Sequence, residues 1–252
     1  MKPHFTIYRT TKQRNESLPL HEHEEGQLTF AASGMVQVHT DRGMWLVPPQ
    51  LAAWIPPGVR HRLEVITDCE LWLVHWQPSA IQAWAVKNSL DRAFVLRMTP
   101  LLRCLIAEAV SVSPSSDKAE LVVRLMLCEL TAMPDAPTFL PLPKSPPGQR
   151  VADLILADQR NMMDLSELAS RAATSIRTVS RLFPEETGMT FKAWRQRARI
   201  VRAMEQLAQG NSPAKVAIET GFASTAAFSC AFRQVTAMTP SAFFEQNNYS
   251  HE

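Results

Sequence analysis

Over the first third of the chain, apolar residues come in short runs that change face every second position. Thr6-Ile7-Tyr8, Gln27-Leu28-Thr29-Phe30, Met35-Val36-Gln37-Val38, Met44-Trp45-Leu46-Val47, Ala52-Ala53-Trp54-Ile55 and Leu71-Trp72-Leu73-Val74 are rich in β-formers. Gly34, Asp41-Arg42-Gly43, Pro48-Pro49 and Pro56-Pro57-Gly58 punctuate them. Short strands between such turn signals predict an all-β barrel or sandwich over residues 1–78. The period then becomes helical. Thr99-Pro100 forms a cap with proline at the first helical position, followed by Leu101, Leu102, Leu105, Ile106 and Ala109. A second helix starts at Asp117, with Leu121, Leu125, Cys128 and Ala132 on one stripe and Val122, Leu127 and Leu130 beside it. That much apolar surface on two short helices predicts cover by the barrel and by a second copy of the chain, a homodimer.

Six prolines follow between Pro134 and Pro147 (Pro134, Pro137, Pro141, Pro143, Pro146, Pro147). They predict an extended, non-helical spacer and a domain boundary. After it every periodic segment is helical. Val151, Leu154 and Ile155 open one helix, and Asp164-Leu165-Ser166-Glu167 has the form of a capping box. An internal repeat comes next. Leu168-Ala169-Ser170-Arg171-Ala172, a break at Ala173-Thr174 and a helix from Ser175 to Phe183 are echoed by Val216 to Thr220, a break at Gly221-Phe222 and a helix from Ser224 to Phe232. Phe183 lies 14 positions after Ala169 and Phe232 lies 15 after Ala217, so the second copy has one extra turn residue.

Each copy suits a helix-turn-helix. A small alanine lets two helices cross closely, a small residue makes the turn, and Ser or Thr caps the second helix. Ile176, Val179, Leu182 and Phe183 are expected to face inward, leaving Arg177, Ser180 and Arg181 for the major groove. Between the copies, Gly188 and Thr190 delimit a helix whose apolar stripe is Phe191, Trp194, Ala198, Val201 and Met204, ended by Gly210. Trp194 is expected in the core. About 18 residues span ~27 Å, enough to set two recognition helices roughly the ~34 Å of one DNA turn apart.

Charge sharpens this picture. Of the 252 residues, 26 are Lys or Arg and 24 are Asp or Glu, a net charge of +2. Residues 1–147 are balanced at 14 of each, whereas residues 148–252 hold 12 cations and 10 acids, and ten of those cations are arginine. Lys192, Arg195, Arg197, Arg199 and Arg202 lie within eleven residues with no acid among them. Arginine's planar fork suits phosphate and guanine. A hydrophobic content of 46% argues for globular domains. No apolar run is long enough for a membrane helix, and the N-terminus lacks a signal peptide's apolar core. Cys69, Cys104, Cys128 and Cys230 are far apart with no CxxC, which predicts neither a disulfide framework nor a zinc ribbon. The expectation is a cytoplasmic protein with no membrane partner.

The region after the proline segment resembles the AraC/XylS family of bacterial transcription regulators. The likeness rests on Ser175 to Gly188, Met189 to Leu207, Gly221 to Arg233 and Thr239-Pro240-Ser241-Ala242-Phe243. It implies DNA base contacts at Arg177, Ser180 and Arg181 of the first recognition helix and at Thr225, Ala226, Ser229 and Cys230 of the second. Lys192, Arg195, Arg199 and Arg202 are expected at DNA phosphates. Cys230 stands where the family pattern has arginine, position 226 is a bare alanine, and Pro184 replaces a usual basic residue. The second helix is therefore expected to read fewer bases and to rely more on phosphate and shape.

The first half resembles the cupin-type sensor of such regulators, through His21-Glu22-His23, Gln27, Gly34 and Pro56 to His61. In metal-binding cupins, an HxH pair, a nearby carboxylate and a later histidine hold one divalent ion. Here His21, His23 and His61 are present, but Gln27 occupies the carboxylate position. The resemblance thus implies an effector pocket at His21, His23, Gln27 and His61, with a divalent metal as a possible cofactor. The expected fold is a two-domain α+β chain. Residues 1–133 form a cupin barrel with a helical dimerisation segment, 134–149 a proline-rich linker, and 150–248 an all-α double helix-turn-helix. The expected partners are promoter DNA, a small-molecule effector and a second subunit. The alternative is a cupin metalloenzyme, a dioxygenase or isomerase, with a helical appendage.

Overall fold

The computed structural model describes residues 4–85, 90–113, 116–132, 138–158, 162–236 and 238–248. The chain divides into two compact units, one of Met1–Thr40 and Trp45–Phe139, the other of Asp41–Met44 and Leu140–Glu252. In chain order come β1 (Phe5–Lys12), β2 (Ser17–His21), β3 (Gly26–Thr40), β4 (Gly43–Val47), β5 (Leu51–Ile55) and β6 (His61–Trp76), of the first unit except for the start of β4. These are followed by α1 (Pro78–Trp84), β7 (Phe94–Arg97), α2 (Pro100–Ser111), α3 (Asp117–Ala132) and the short β8 (Phe139–Pro141). The second unit carries α4 (Pro146–Ala157), α5 (Leu165–Arg171), α6 (Ile176–Thr187), α7 (Phe191–Ala208), α8 (Pro213–Glu219), α9 (Thr225–Thr236) and α10 (Pro240–Asn248).

The sheet is antiparallel in the pairings that build the site. β6 takes β1 on one side and β3 on the other, β2 pairs with the start of β6, and β5 joins β3 to β7. Two strands are longer than the sequence pattern suggests. β3 runs through both Gln27–Phe30 and Met35–Val38 as one strand, and Gly34 is a bulge inside it, not a turn. Its φ is +72°, and a Cβ there would lie 2.0 Å from Asp68 O, so only glycine fits. Two apolar layers line the sheet. Phe30, Trp54, Trp76, Leu102, Ile106, Val123, Met126, Leu127 and Leu130 join one face to α2 and α3. Val36, Trp45, Val47, Ile55, Leu63, Val65 and Leu71 form the other.

One expectation is sharpened and another needs correction. On α3 the buried residues are Ala119, Val123, Met126, Leu127 and Leu130. The stripe of Leu121, Leu125 and Cys128 instead points to solvent, with Leu121 63% exposed. The proline segment is also not spacer to its end. Pro134 and Pro137 lie outside the described residues, Pro141 ends a strand, and Pro146-Pro147 begin α4 under a Ser145 cap. Proline at the first helical positions loses no intrahelical bond, because those N–H groups have no partner in any helix. The segment is bound within its own unit as well. Trp194 Nε1 donates to Pro141 O, and Glu186 Oε2 accepts from Lys144 N at 2.9 Å and Ser145 N at 3.1 Å.

Candidate nucleic-acid interface and effector pocket

In the second unit α5 and α6 form one helical hairpin and α8 and α9 another. Their turns match atom for atom. Thr174 N donates to Ala169 O and Phe222 N to Ala217 O, both at 2.9 Å. Left-handed residues follow in register, Ala173 at φ +48° and Gly221 at φ +73°. Ser175 Oγ then accepts from Thr178 N at 3.1 Å, and Ser224 Oγ from Ala227 N at 3.1 Å. The cap comes one residue after Thr174 but two after Phe222, which identifies Ala223 as the extra residue. Val179 and Phe183 of α6, like Phe228 and Phe232 of α9, are buried.

Outward lie Arg177, Ser180 and Arg181 on α6 and Thr225, Ala226 and Cys230 on α9, all exposed, with Ser229 half-buried. Arg181 Nη1 meets Glu185 Oε2 at 3.2 Å, and Cys230 Sγ is 4.0 Å from Gln234 Nε2. Ile176 is 47% exposed, against the expectation that it faces inward. It occupies the first position of α6, before the helix meets its neighbours. Trp194 is fully buried, edge-on to Phe183.

The arginines of α7 are placed differently from a solvated basic face. Lys192 is exposed, but Arg195, Arg199 and Arg202 are half-buried. Arg195 Nη2 donates to Met163 O, Arg199 Nε to Thr220 O at 2.8 Å, and Arg202 Nη1 to Leu156 O at 3.5 Å. Arg199 also lies 3.8 Å from the ring centroid of Phe222. Burial lowers the pKa of Arg195, Arg197 and Arg199, though nearby Asp158 and Asp164 act the other way on Arg195. Thr220 and Leu156 lie at the C-terminal ends of α8 and α4, where negative partial charge collects, whereas Met163 stands just before α5. Arg150 of α4 makes the equivalent bond in the first hairpin, Nε to Ala172 O at 2.8 Å. So α4 serves α5–α6 as α7 serves α8–α9, a repeat wider than the one read from the sequence. The signal was present in Thr187-Gly188-Met189-Thr190 against Thr236-Ala237-Met238-Thr239. Thr187 and Thr236 both bond back to a phenylalanine carbonyl, while Thr190 and Thr239 both cap the helix that follows.

In the first unit His21, His23 and His61 converge, with one ligand nitrogen from each lying within 4.8 Å of the others. β2 and β6 set His21 opposite His61. The His23 ring stacks on His75, a histidine the motif reading passed over, with 5.3 Å between centroids. Even spacing along β6 from His61 was the available clue, since alternate residues share a face. Burial, reinforced by the neighbouring histidines and opposed by the Val59 carbonyl at His61 and by Glu25 at His75, pulls His61 and His75 down to about 4. Both are therefore neutral at physiological pH, the form in which imidazole binds a metal. Gln27 is buried, with its amide between His23 and Thr29. The residues present fit a divalent ion. His61 Nε2 is buried with no hydrogen-bond partner among the described residues, and three imidazoles are a donor set such ions accept. His21, His23 and His61 would hold it, and it would supply a Lewis-acidic point for a small ligand.

A ligand-sensing β unit joined to paired helix-turn-helix hairpins defines a one-component DNA-binding regulator. Residues 2–130, just over half of the chain, match the AraC-like ligand binding domain, and residues 168–246 match a helix-turn-helix domain. The chain belongs to the AraC/XylS family of transcription regulators. It is 29% identical over 228 residues to the HTH-type transcriptional regulator NimR of Escherichia coli, covering 89% of this chain and 81% of that one. It is 32% identical over 102 residues to the regulator RipA of Corynebacterium diphtheriae, covering 40% and 30%. Among solved structures it is similar to ToxT of Vibrio cholerae, at 10% identity and a TM-score of 0.43 over 96% of this chain and 97% of that one. No helix among the described residues is long and apolar enough to cross a membrane.

Proposed function

We propose that the protein is a cytoplasmic, small-molecule-responsive regulator. It binds promoter DNA as a homodimer, reads two consecutive major-groove faces with α6 and α9, and has no catalytic activity of its own. Residues 1–133 sense the effector and dimerise, and 150–248 bind DNA. Arg177, Ser180 and Arg181 contact bases from α6, and Thr225, Ala226, Ser229 and Cys230 from α9. Lys192 meets phosphate, whereas Arg195, Arg199 and Arg202 reach it only through donors not already turned onto carbonyls. The effector binds at His21, His23, Gln27 and His61. The supporting observation is the duplicated turn, cap and arginine tie behind two exposed helix faces, because an enzyme's appendage has no use for two. A neighbouring transporter or enzyme gene is the target this arrangement suits.

Gel-shift titration on the DNA upstream of the protein's own gene and its neighbours is the test. Saturable binding that survives excess non-specific competitor is expected, and binding lost to that competitor would overturn the reading. For the dimer, Leu121 and Leu125 with Cys128 form the exposed apolar stripe on α3 that a second copy would cover. Sedimentation should give a dimer that Leu121→Asp dissociates; a monomeric wild type at micromolar concentration would sink this part.

A further inference from the structure

A cleft of about 440 Å³ opens within the second unit, between the start of α5 and the N-terminal half of α7. Its size falls in the ~300–1,000 Å³ range of small-ligand sites. Lys192, Arg195 and Arg199 line it, at i, i+3 and i+7 on α7, and so share one face of that helix. The acid in the wall, Asp164, is engaged as the cap of α5, where Oδ1 accepts from Glu167 N at 2.8 Å. The cleft therefore carries a net positive charge. Its two arginines are fixed from behind. Arg195 Nη2 donates to Met163 O, while Thr220 O and the Phe222 ring hold Arg199. Arg199 Nη2 is buried and finds no hydrogen-bond partner among the described residues. Guanidinium groups set in place before a ligand arrives lower the ordering cost of binding it. The rest of the wall is apolar. Met162, Met163 and Phe191 supply it, with Met162 78% exposed and Phe191 braced edge-on against Phe183 at 5.2 Å. A DNA phosphate is held by charge and hydrogen bonds and has no use for such a wall. Cations beside methionines and a phenyl ring complement a small anion with an apolar body, and methionine adapts readily to a ligand's shape.

We infer that this cleft is a second small-molecule site, separate from the histidine pocket, and that it takes an amphipathic anion such as an aryl carboxylate. The carboxylate is drawn to the α7 cations, and the ring lies against Met163 and Phe191. The cleft also connects the two hairpins. Met163 leads into α5 of the first, and Arg199 ties down the turn of the second. An occupant draws on cations that DNA phosphate also needs, so ligand and operator compete. The site itself rests on the cleft alone, whereas this competition rests on the reading of the second unit as the DNA-binding one.

The test is equilibrium dialysis of the full-length protein with 2-naphthoate, with operator gel shifts in parallel. Saturable uptake is expected, and the neutral analogue 2-naphthalenemethanol should bind ~10-fold or more weakly, having lost a charge-assisted contact. Lys192→Gln should weaken uptake by ~2–5-fold, as an exposed charge does. Met163→Ser should weaken it by roughly 3–10-fold through lost apolar contact, with ligand-free operator binding near that of the wild type. His61→Ala should leave uptake unchanged, because His61 belongs to the other unit. Melting curves of each variant confirm that it is folded. In the wild type, 2-naphthoate should lower operator affinity, and Met163→Ser should blunt that effect. No saturable uptake, equal uptake of the alcohol, or uptake unmoved by both Lys192→Gln and Met163→Ser would overturn the site. Uptake that follows the variants but leaves operator binding unchanged would uphold the site and refute the competition. Uptake as expected in a protein that binds no operator would refute the regulator reading and leave the cleft's assignment standing.

Discussion

The two helical hairpins of the C-terminal unit share one framework and differ on the faces they present. Behind each turn an arginine from the preceding helix, Arg150 or Arg199, ties down the carbonyl of the residue that ends the hairpin's first helix. Within each turn the same backbone bond forms, and a serine caps the second helix. The exposed faces have diverged. α6 shows Arg177 and Arg181, whereas the corresponding surface of α9 shows Thr225, Ala226 and Cys230, without charge. Framework and reading surface are therefore separable. Substitutions in the framework should change stability in both hairpins, and substitutions on the surface should change DNA binding mainly in the first.

The largest effect should come from the framework. Arg199→Met removes a charge-assisted bond from the buried Thr220 carbonyl and the cation's contact with Phe222, a loss of about 2–4 kcal/mol in stability. Arg150→Met should cost less, because among the described residues no aromatic ring lies against Arg150. Denaturant unfolding of both variants checks the order. If Arg199→Met stays as stable as wild type but loses DNA binding, its main partner is phosphate after all.

On the reading surface, Arg181→Ala should weaken specific binding by about 1–3 kcal/mol and relax preference at one base pair. The exposed pair with Glu185 returns little of this, since such pairs are worth ~0.3–0.5 kcal/mol. Binding to a panel of single-base operator variants is the measurement. A uniform loss across all of them would assign Arg181 to phosphate and remove the contrast between the hairpins.

Much of this was legible in the sequence, but unevenly. Caps at Thr99, Ser175 and Thr190 stand where the Ser/Thr signals put them, because a cap is a local matter of one side chain and one N–H. The surroundings of the arginine cluster of α7 were not legible, since spacing shows which residues share a face but not what lies against it. Arg199 reaches a carbonyl 21 residues away, and nothing local in the sequence announces that. Likewise α3 carries apolar residues on more than one face. The pattern marked Leu121 and Leu125 as a stripe but could not say that Val123 and Met126 would take the core. In the first unit HxH and the later histidine were readable as a cluster, whereas His75 joins them only through the stacking of β6 on the site.

The turns offer a smaller contrast. Ala173 holds a left-handed conformation at φ +48° that costs an alanine energy, while Gly221 holds the same conformation freely. Ala173→Gly should therefore be neutral to stabilising by up to about 1 kcal/mol, and Gly221→Ala destabilising by about 1 kcal/mol. Thermal melts of the two variants should move in opposite directions. A loss in both would mean that the alanine methyl contributes packing that outweighs its strain.

The smallest effect should appear where the second hairpin has no charge to lose. Cys230 is exposed on α9, with Gln234 Nε2 4.0 Å from its sulfur, while Phe228 and Phe232 on the same helix supply the buried contacts. Packing gives no reason for a cysteine there, so Cys230→Ala should leave both stability and operator affinity within ~0.5 kcal/mol of wild type. Cys230→Arg is the informative change. If α9 enters the groove as α6 does, an added guanidinium neutralises about one more phosphate, and the slope of log affinity against log salt steepens by roughly 0.9. Non-specific binding should tighten a few-fold at low salt, and base preference should shift only in the part of the site that α9 covers. An unchanged slope would show that Cys230 does not face DNA, so that the second hairpin holds the duplex by some other part of its surface than the first.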